Sequence, residues 1–401
     1  MSMISYQTSQ NMISLLSMGA VRSERIFLTS AVGRILAEDI VADSDYPSLP
    51  TSAMDGYAIL HSDLGEYESL EILGDNPAGA DEIGGVMSGA CIKTFTGSLM
   101  PSGADTLIPI ENVRVEGEYI VIEKLVPKGF AVRPIGESYR EGEVLIAQGT
   151  KLAFAQIGVL AGINRVMVPV AQRPRVAIIA TGSEIIDIGE AARHAGQIRS
   201  SNSYTLQTLV DSLGGESVQM GIVGDDKNAI MERFEEAISS CDIVVSTGGV
   251  SVGDYDFVKH IVPALGAEVI FKGVNIKPGQ HVMVAQRGSK FIVSLPGFAY
   301  SSTVTFILYA VPLMARMLGI ENPYEVIEAT LKVPFAKRSN KSEFTACNLS
   351  FEEGRYWVDF EAKKTGSSAI LTNLLGNAGL MICGEEDGDL EAGTLVRVIK
   401  L

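Results

Sequence analysis

The sequence predicts a multidomain protein in which an α/β domain with a parallel sheet lies between β-rich domains. Three observations lead to this fold class. The chain has 401 residues, and one hydrophobic core rarely grows beyond about 250–300 residues. Strand-like and helix-like segments alternate between residues 175 and 319, as expected for a parallel sheet covered by helices. On both sides of that region, short apolar runs are separated by Gly, Pro and Asp, which is typical of β-rich domains.

The composition is that of a globular protein with an acidic surface. Hydrophobic residues make up 46% of the chain, charged residues make up 20%, and the formal net charge is -16. We expect no nucleic acid and no membrane as a partner, because both select basic surfaces. We find no leader peptide and no apolar run approaching the roughly 18–20 residues that span a bilayer, so we expect a cytoplasmic protein. The four cysteines form no C-x-x-C pair, so neither a disulfide framework nor a zinc site is predicted.

The first third of the chain is predicted to hold a helical arm and a β-rich domain. Residues 5–42 carry apolar side chains at helical spacing. Pro47 and Pro50 mark the end of this arm, since proline cannot continue a helix. Short apolar runs over residues 51–126 predict the compact β-rich domain. Strand-like pieces follow in residues 132–170, before a linker that contains Pro174.

The α/β region begins after this linker. Because parallel strands need crossover connections, the alternation predicts a parallel sheet covered by helices. Ligands of such sheets bind beyond the carboxyl ends of the strands. The predicted strands and helices cover residues 176–180, 204–213, 217–222, 228–238, 242–245, 257–265, 291–294 and 299–318. Beyond Pro323, four further strand-like runs predict a small C-terminal β-barrel; these runs are 344–349, 356–360, 379–383 and 395–399.

A glycine-rich loop follows the strand at residues 243–245. It carries three glycines, two serines and two aspartates: Gly248, Gly249, Gly253, Ser246, Ser251, Asp254 and Asp256. Glycine has no Cβ, so backbone N–H groups in this loop can approach a phosphate. The aspartates would repel that anion, which makes a bridging Mg²⁺ the natural third party. The alternative interpretation is a βα turn whose glycines meet geometric needs and whose aspartates cap a helix.

Two more polar loops follow strands of the same sheet. One contains Thr181, Gly182, Ser183 and Glu184, and the other contains Asp225 and Asp226. One of the two aspartates is expected to cap the helix beginning near residue 227, and the other to face the cleft. Carboxylates with hydroxyls suit a hard metal and phosphate orientation, and no Cys–His pair is placed for nucleophilic attack. The residues alone therefore predict metal-assisted phosphoryl chemistry.

The chain resembles the molybdopterin molybdenumtransferase (MoeA) family, relatives of the gephyrin E domain, over essentially its whole length. The resemblance is carried by Ser52-Ala53-Met54-Asp55-Gly56-Tyr57-Ala58 and by residues 96–97, 101–106, 133–137, 181–184, 197–202, 221–226, 248–256, 276–279 and 295–297. It implies an elongated arm (1–46 and 130–173), a β-rich second domain (47–129), an α/β molybdopterin-binding domain (174–320) and a C-terminal β-barrel (321–401).

The resemblance also implies a reaction and its participants. The substrates would be adenylylated molybdopterin (molybdopterin-AMP) and molybdate. Hydrolysis of the Mg²⁺-bound adenylate would accompany insertion of molybdenum into the dithiolene and release of AMP. The protein would be a homodimer with a composite active site, in which the second domain of one subunit closes the cleft of the other. A molybdopterin adenylyltransferase would act upstream.

Combining the residues with the resemblance gives a set of predicted site residues. The catalytic residues are Asp55, Thr96, Glu184, Asp225 and Asp256, and the metal ligands are Glu184, Asp226 and Asp256. The substrate-binding residues are Thr181, Gly182, Ser183, Ser246, Gly248, Gly249, Ser251, Gly253, Lys277, Pro296, Gly297, Ser302 and Lys341. Simpler interpretations exist for several of them: Asp55 and Thr96 precede glycines and could be turn formers, and Glu184 could cap a helix.

The chain departs from the family pattern on the side expected to hold the oxyanion. Gln280 stands where many members have a lysine, and Ala346 stands where an arginine is common. Two cations expected at an oxyanion site are therefore missing. Other enzymes share the α/β domain, namely molybdopterin adenylyltransferases and competence-damage-type nucleotide hydrolases, but they lack the domain containing residues 54–58. The alternative supported by the missing cations is a degenerate paralogue that binds molybdopterin, or acts as a scaffold, without turnover.

Overall fold

The computed structural model describes residues 3–80, 84–250 and 257–401. The chain divides into two compact units. The larger unit contains Met1–Glu38 and Gln148–Leu401, and the smaller unit contains Asp39–Ala147. The smaller unit is therefore an uninterrupted insertion in the sequence of the larger one.

The N-terminal segment forms a short helix and then a strand. Helix α1 (Tyr6–Leu15) begins after Ser5, whose side chain accepts a hydrogen bond from the Thr8 N–H. Strand β1 (Ser23–Phe27) follows. The prediction of a helix over residues 5–42 is wrong beyond Leu15. The apolar residues near 35 instead pair with distant chain: the Leu36 N–H donates to the Thr150 carbonyl at 2.9 Å. Tertiary pairing overrides the helical spacing here.

The smaller unit is β-rich, as predicted. Its main sheet has six strands in the order β7-β4-β6-β5-β9-β8, and two short strand pairs, β10 with β3 and β11 with β2, accompany it. Its core includes Tyr57, Leu70 and Ile108. The strands are β2 (Ile40–Val41), β3 (Thr51–Ser52), β4 (Gly56–Ile59), β5 (Ser69–Asn76), β6 (Ala90–Thr94), β7 (Thr106–Pro109), β8 (Val113–Glu116), β9 (Tyr119–Ile122), β10 (Val132–Arg133) and β11 (Val144–Ile146).

The larger unit resumes with helix α2 (Phe154–Gly162) and strand β12 (Met167–Ala171). Strand β12 runs antiparallel to β1, with Ser23 opposite Ala171. Two segments separated by the whole smaller unit in sequence therefore form one small sheet. Helix α2 was not predicted, because its glycines and its nearly uniform apolar composition hide the helical period.

The α/β domain holds a six-stranded sheet in the order β16-β13-β17-β21-β20-β18. The first four strands are parallel, as predicted, but β18 and β20 are antiparallel to their neighbours. Only residues 288–289 separate β20 from β21, and so short a connection permits only an antiparallel pair. The elements are β13 (Arg175–Thr181), β14 (Ile185–Ile186), β15 (Ile198–Arg199), α3 (Ser201–Ser212), β16 (Glu216–Val223), α4 (Lys227–Ser240), β17 (Ile243–Thr247), α5 (Val258–Ala264), β18 (Glu268–Lys272), β19 (Ile276–Lys277), β20 (Met283–Arg287) and β21 (Lys290–Leu295).

A continuous helical run, Ala299–Leu318, packs against this sheet. It comprises α6 (Ala299–Thr305), a π-helical turn (Phe306–Ala310) and α7 (Val311–Leu318). Contrary to the sequence expectation, this run of 20 residues, with a mean hydropathy of 1.3, is long and apolar enough to cross a bilayer. However, 83% of its apolar window is buried inside the protein. The run is therefore used as a core helix.

The N-terminal helix is fastened to this core helix by hydrogen bonds. Gln10 donates from Nε2 to the Leu308 carbonyl in the π-helical turn at 3.1 Å. Arg316 donates to the carbonyls of Ile13 and Leu16, at 2.6 Å and 2.7 Å. These two carbonyls lie at the end of α1, where intrahelical partners are missing, so Arg316 caps that helix.

The C-terminal part is a closed five-stranded barrel, which confirms the prediction. It is formed by β22 (Val326–Leu331), β23 (Ser342–Glu352), β24 (Arg355–Asp359), β25 (Ala378–Cys383) and β26 (Leu395–Lys400). Its order β23-β24-β22-β26-β25 closes because β25 also pairs with β23. Strand β19 from the α/β domain adds to β23, with Lys277 beside Glu343. This pairing joins the barrel to the sheet domain.

Candidate functional site

The larger unit contains a cleft of about 1050 Å³ between the carboxyl ends of the parallel strands and the barrel. Two walls face it. The strand-end wall comprises residues 180–182, 184–185, 198–202, 225, 247–250 and 296–301. The barrel wall comprises residues 276–281, 335, 338, 341, 343–346, 365–369 and 373. This cavity therefore lies beyond the strand ends, where the ligands of such a sheet were expected to bind.

Side chains tie the loops of the strand-end wall to one another. Thr181 Oγ1 donates to the Thr247 carbonyl at 3.1 Å, which joins the ends of β13 and β17. Ser183 and Asp225 form a reciprocal pair: the Ser183 N–H donates to Asp225 Oδ2 at 3.1 Å, and the Asp225 N–H donates to Ser183 Oγ at 3.0 Å. Asn202 donates from Nδ2 to the Gly297 carbonyl at 2.7 Å. Neighbouring strand ends are thus held in a fixed relation.

Glycine is required where two of these loops approach each other. Gly248 and Gly249 line the cleft with φ values of +90° and +68°. A Cβ on Gly248 would lie 2.8 Å from the Thr181 carbonyl oxygen, and one on Gly249 would lie 2.7 Å from Val258 Cγ2. The positive φ and the close approach both exclude larger residues without strain. A backbone role in holding a phosphate stays a prediction.

The predicted acids separate into two groups. Glu184 and Asp225 line the cleft. Asp226 instead caps helix α4, because its Oδ1 accepts a hydrogen bond from the Ala229 N–H at 2.8 Å. This bond uses one carboxylate oxygen only, so the assignment of Asp226 as a metal ligand stays a prediction. Among the described residues, no three His, Cys, Asp or Glu side chains form a group that could hold a metal ion by themselves.

Three of the predicted serines do not present a hydroxyl to the cleft. Ser246 and Ser302 are 0% and 1% exposed, and their hydroxyls have no hydrogen-bond partner among the described residues. The hydroxyl of Ser183 is engaged by Asp225. None of the three is among the residues that line the cleft, and their assignment as substrate-binding residues stays a prediction. Ser301, one residue earlier, does line the cleft and donates to the Ser368 carbonyl at 3.3 Å. The position of each serine around helix α6 decides which of Ser301 and Ser302 faces the cleft. The sequence of two adjacent serines does not reveal that position.

Thr181, Gly182, Pro296, Gly297, Lys277 and Lys341 all line the cleft. The predicted residues Ser251, Gly253 and Asp256 lie outside the described residues, as does Asp254. Among the cleft residues that the sequence prediction missed are Asn202, Arg338 and Glu343, whose side chains make contacts there. Asn202 falls within one of the motifs given above, whereas Arg338 and Glu343 fall within none of them.

The barrel wall carries three of the four Arg and Lys side chains that line the cleft in the described part of the chain, and Arg199 on the strand-end wall is the fourth. Lys277 Nζ lies 3.4 Å from Glu343 Oε1, and the Glu343 side chain is only 4% exposed. Lys341 Nζ donates to Gln280 Oε1, and Gln280 Nε2 lies 2.9 Å from His281 Nε2. An ammonium group has donors only, so the Gln280 oxygen must face Lys341. Its amide nitrogen then donates to His281, which leaves His281 Nε2 as an acceptor.

In the smaller unit, the structure brings together the two predicted residues Asp55 and Thr96. Asp55 Oδ1 accepts from the Thr96 N–H at 2.8 Å and from Thr96 Oγ1 at 2.7 Å. The backbone hydrogen bond, followed by the side-chain one, holds the pKa of the Asp55 carboxyl below its usual value. Both residues are exposed. Asp55 is thus an ionised carboxylate with its second oxygen accessible.

The four cysteines offer no nucleophile to either region. All four are buried and free. Burial raises the pKa of the Cys91 and Cys347 thiols to about 12 in each case, and a thiol with such a pKa is not a thiolate at neutral pH. The chemistry of the cleft therefore falls to carboxylates on the strand-end wall and to cations on the barrel wall.

Known proteins match this chain over nearly its whole length. Residues 4–163 match the MoeA N-terminal region (domain I and II), residues 177–316 match the probable molybdopterin binding domain, and residues 328–401 match the MoeA C-terminal region (domain IV). A molybdopterin molybdenumtransferase from Nostoc sp. is 33% identical over 94% of this chain and 89% of its own length. Two crystal structures of the MoeA protein of Pyrococcus horikoshii are similar, with TM-scores of 0.87 and 0.82 at 27% and 30% identity. They cover 100% of this chain, and 99% and 100% of theirs.

Proposed function

The chain belongs to the MoeA family of molybdopterin molybdenumtransferases, enzymes of molybdenum cofactor biosynthesis, and we propose that it inserts molybdenum into molybdopterin in a Mg²⁺-dependent reaction. Its substrates are adenylylated molybdopterin and molybdate. Water cleaves the phosphoanhydride bond and AMP leaves. The two dithiolene sulfurs then bind molybdenum in place of one molybdate oxygen, which leaves with the two thiol protons as water. The observation that carries this proposal is the division of one cleft into an acidic strand-end wall and a cationic barrel wall.

The size of the cleft supports a substrate with several parts. Pockets for small ligands commonly measure about 300–1,000 Å³, and this cleft reaches about 1050 Å³. A pterin with a phosphate and a nucleotide needs a volume at the upper end of that range. The tied loops around Gly248 and Gly297 offer backbone groups to the phosphates, whereas the barrel wall offers Lys341 and Arg338 to a tetrahedral dianion.

The donor chemistry of the strand-end wall fits Mg²⁺. Mg²⁺ is usually held by one or two carboxylates together with substrate phosphates and waters. Glu184 and Asp225 both line the cleft and would be the two carboxylates, to which the sequence adds Asp256. When bound, the ion supplies positive charge that offsets the anionic phosphoanhydride.

The residues of the chain position and activate the reactants. Asp225 is held by Ser183 through its backbone and its side chain, so its carboxylate has a fixed direction. The exposed Glu184 carboxylate orients the attacking water and accepts its proton as the new oxygen–phosphorus bond forms and the bond to the leaving phosphate breaks. The cations of the barrel wall hold the molybdate dianion apart from these acids, which avoids repulsion within the cleft.

Release of AMP from adenylylated molybdopterin, with and without molybdate, tests this proposal. The expected result is Mg²⁺-dependent release accompanied by formation of the molybdenum cofactor when molybdate is present. Binding of the substrate without any AMP release would instead favour the alternative of a degenerate paralogue or scaffold. Release without insertion at any molybdate concentration would refute the transferase step alone.

We propose further that the protein acts in the cytoplasm as a homodimer with composite sites, downstream of a molybdopterin adenylyltransferase. The family resemblance supports this, together with the exposed Asp55–Thr96 pair, whose carboxylate is accessible from outside the smaller unit. Asp55→Ala and Asp225→Asn subunits, each inactive alone, should regain about a quarter to a half of the activity when mixed. Absence of recovery after verified subunit exchange would argue that each site is built from one chain.

A further inference from the structure

The Arg and Lys side chains that line the cleft differ in the groups to which they are already bound. Among the described residues, four such side chains line the cleft: Arg199, Lys277, Arg338 and Lys341. Arg199 donates to the Asp187 carbonyl at 2.9 Å and is exposed on the strand-end wall. The other three belong to the barrel wall. Which of these three is available to an incoming anion depends on its present partner.

Lys277 is the least available of them. Its partner Glu343 is a buried carboxylate, and removing the partner of a buried charge is strongly unfavourable. Glu343 Oε1 also accepts from Ser339 Oγ at 2.7 Å and from the Arg338 N–H at 3.1 Å. The carboxylate therefore neutralises Lys277 and at the same time anchors the backbone that carries Arg338.

Arg338 has only neutral partners among the described residues. Its Nη1 donates to the Thr365 carbonyl at 2.6 Å, and its Nη2 donates to Thr365 Oγ1 at 3.1 Å. A guanidinium group has five donors, so three remain. A Cβ on Gly366 would collide with Nη1, so the guanidinium packs directly on that glycine. The group is held in one orientation and still has a full charge and unused donors at the cleft.

We propose that Arg338 is the principal charged ligand of the tetrahedral dianion that this cleft takes, with Lys341 as the second ligand and Lys277 in a minor role. This inference rests on the proposed use of molybdate and specifies the side chains that determine its affinity. Two cations with neutral partners match the two charges of the dianion. The fork of Arg338 can bind two oxygens of a tetrahedral ion, whereas Lys341 acts as a point charge.

Calorimetric titration of the full-length protein with sodium molybdate, without pterin, tests the assignment. Arg338→Gln should raise the Kd for molybdate at least about tenfold, because a charge-assisted hydrogen bond is lost. Lys277→Gln should raise it less than about threefold, since that charge is already neutralised. Arg287→Gln is the matched control. Arg287 is the exposed last residue of β20, at the opposite end of the strands from the cleft, and its removal should leave the Kd within about twofold.

Two further variants separate the position of the charge from its presence. Arg338→Lys keeps the charge without the fork. Gly366→Ala displaces the guanidinium without removing it, and it also strains a backbone with a φ of +93°. Each should weaken binding by about threefold to fivefold, and Arg338→Lys also serves if Arg338→Gln fails to fold. Equal affinity of Arg338→Gln and the unaltered protein, or a larger effect of Lys277→Gln, overturns the assignment and leaves the proposed function intact. An unaltered protein that binds no molybdate overturns both.

Discussion

The two walls of the cleft are built in different ways. The strand-end wall is assembled from loops that each follow a strand of the same sheet, and short polar contacts such as Thr181 to Thr247 join neighbouring loops. The barrel wall depends on the pairing of β19 with β23, which brings Lys277 beside Glu343 from 66 residues away. Local sequence therefore determines the acids and glycines of the first wall. The distribution of charge on the second wall depends on which distant side chains meet.

The largest expected effect separates the two adjacent aspartates of the strand-end wall. Asp225→Asn should lower the rate of AMP release at least about 100-fold, because the amide keeps the contact with Ser183 but loses the carboxylate charge. Asp226→Asn is the matched control. Asparagine caps helices as well as aspartate does, so this variant should retain the rate within about twofold. A comparable loss in both variants would show that Asp226 acts in the site as well as at the helix cap.

The next largest effect concerns the barrel wall and its missing cation. Gln280→Lys should lower the molybdate concentration needed for half-maximal insertion by about fivefold to tenfold, because the new ammonium group is a third charged donor beside Arg338 and Lys341. The isosteric Gln280→Glu should raise that concentration, because a carboxylate beside Lys341 neutralises it. AMP release in the absence of molybdate serves as the internal reference for both variants. If Gln280→Lys leaves the concentration unchanged or raises it, position 280 does not face the oxyanion.

The smallest effect concerns the Asp55–Thr96 pair in the other unit. Thr96→Val keeps the backbone N–H but removes the hydroxyl, so the pKa of Asp55 should rise toward its ordinary value. The ionised form then disappears at a higher pH, and the acid limb of the pH–rate profile should move upward. At neutral pH the rate should change less than about twofold, because Asp55 remains ionised. Profiles that superimpose from about pH 2 to pH 5, where the two forms of Asp55 differ, would show that Asp55 does not act as a carboxylate.

The sequence predicted more of the strand-end wall than of the barrel wall. Alternating strands and helices were predictable between residues 175 and 245, because each element is long and strongly periodic. The residues of the first wall, such as Glu184 and Gly248, were predictable because turns and strand ends leave local signals. We expected one of Asp225 and Asp226 to face the cleft and the other to cap a helix, although both were assigned to the site. Asp225 lines the cleft, and Asp226 caps the helix.

The misses have a common physical cause. The segment near Leu36 has helical spacing but pairs with residues near 150 and 170. Arg338 lies outside every motif, and its role depends on Thr365 and Gly366, which are distant in sequence. In each case a contact between remote segments decides the outcome, and such contacts cannot be derived from spacing along one chain.

The attachment of helix α1 to the core helix has a consequence for synthesis on the ribosome. Gln10 meets its partner Leu308 across 298 positions, and Arg316 meets Ile13 across 303. At about 5–20 residues per second, the first helix therefore waits roughly 15–60 seconds for the surface that holds it. The smaller unit, Asp39–Ala147, is continuous in sequence and can fold during that interval. The first helix is thus a part of the nascent chain that stays long without its partner.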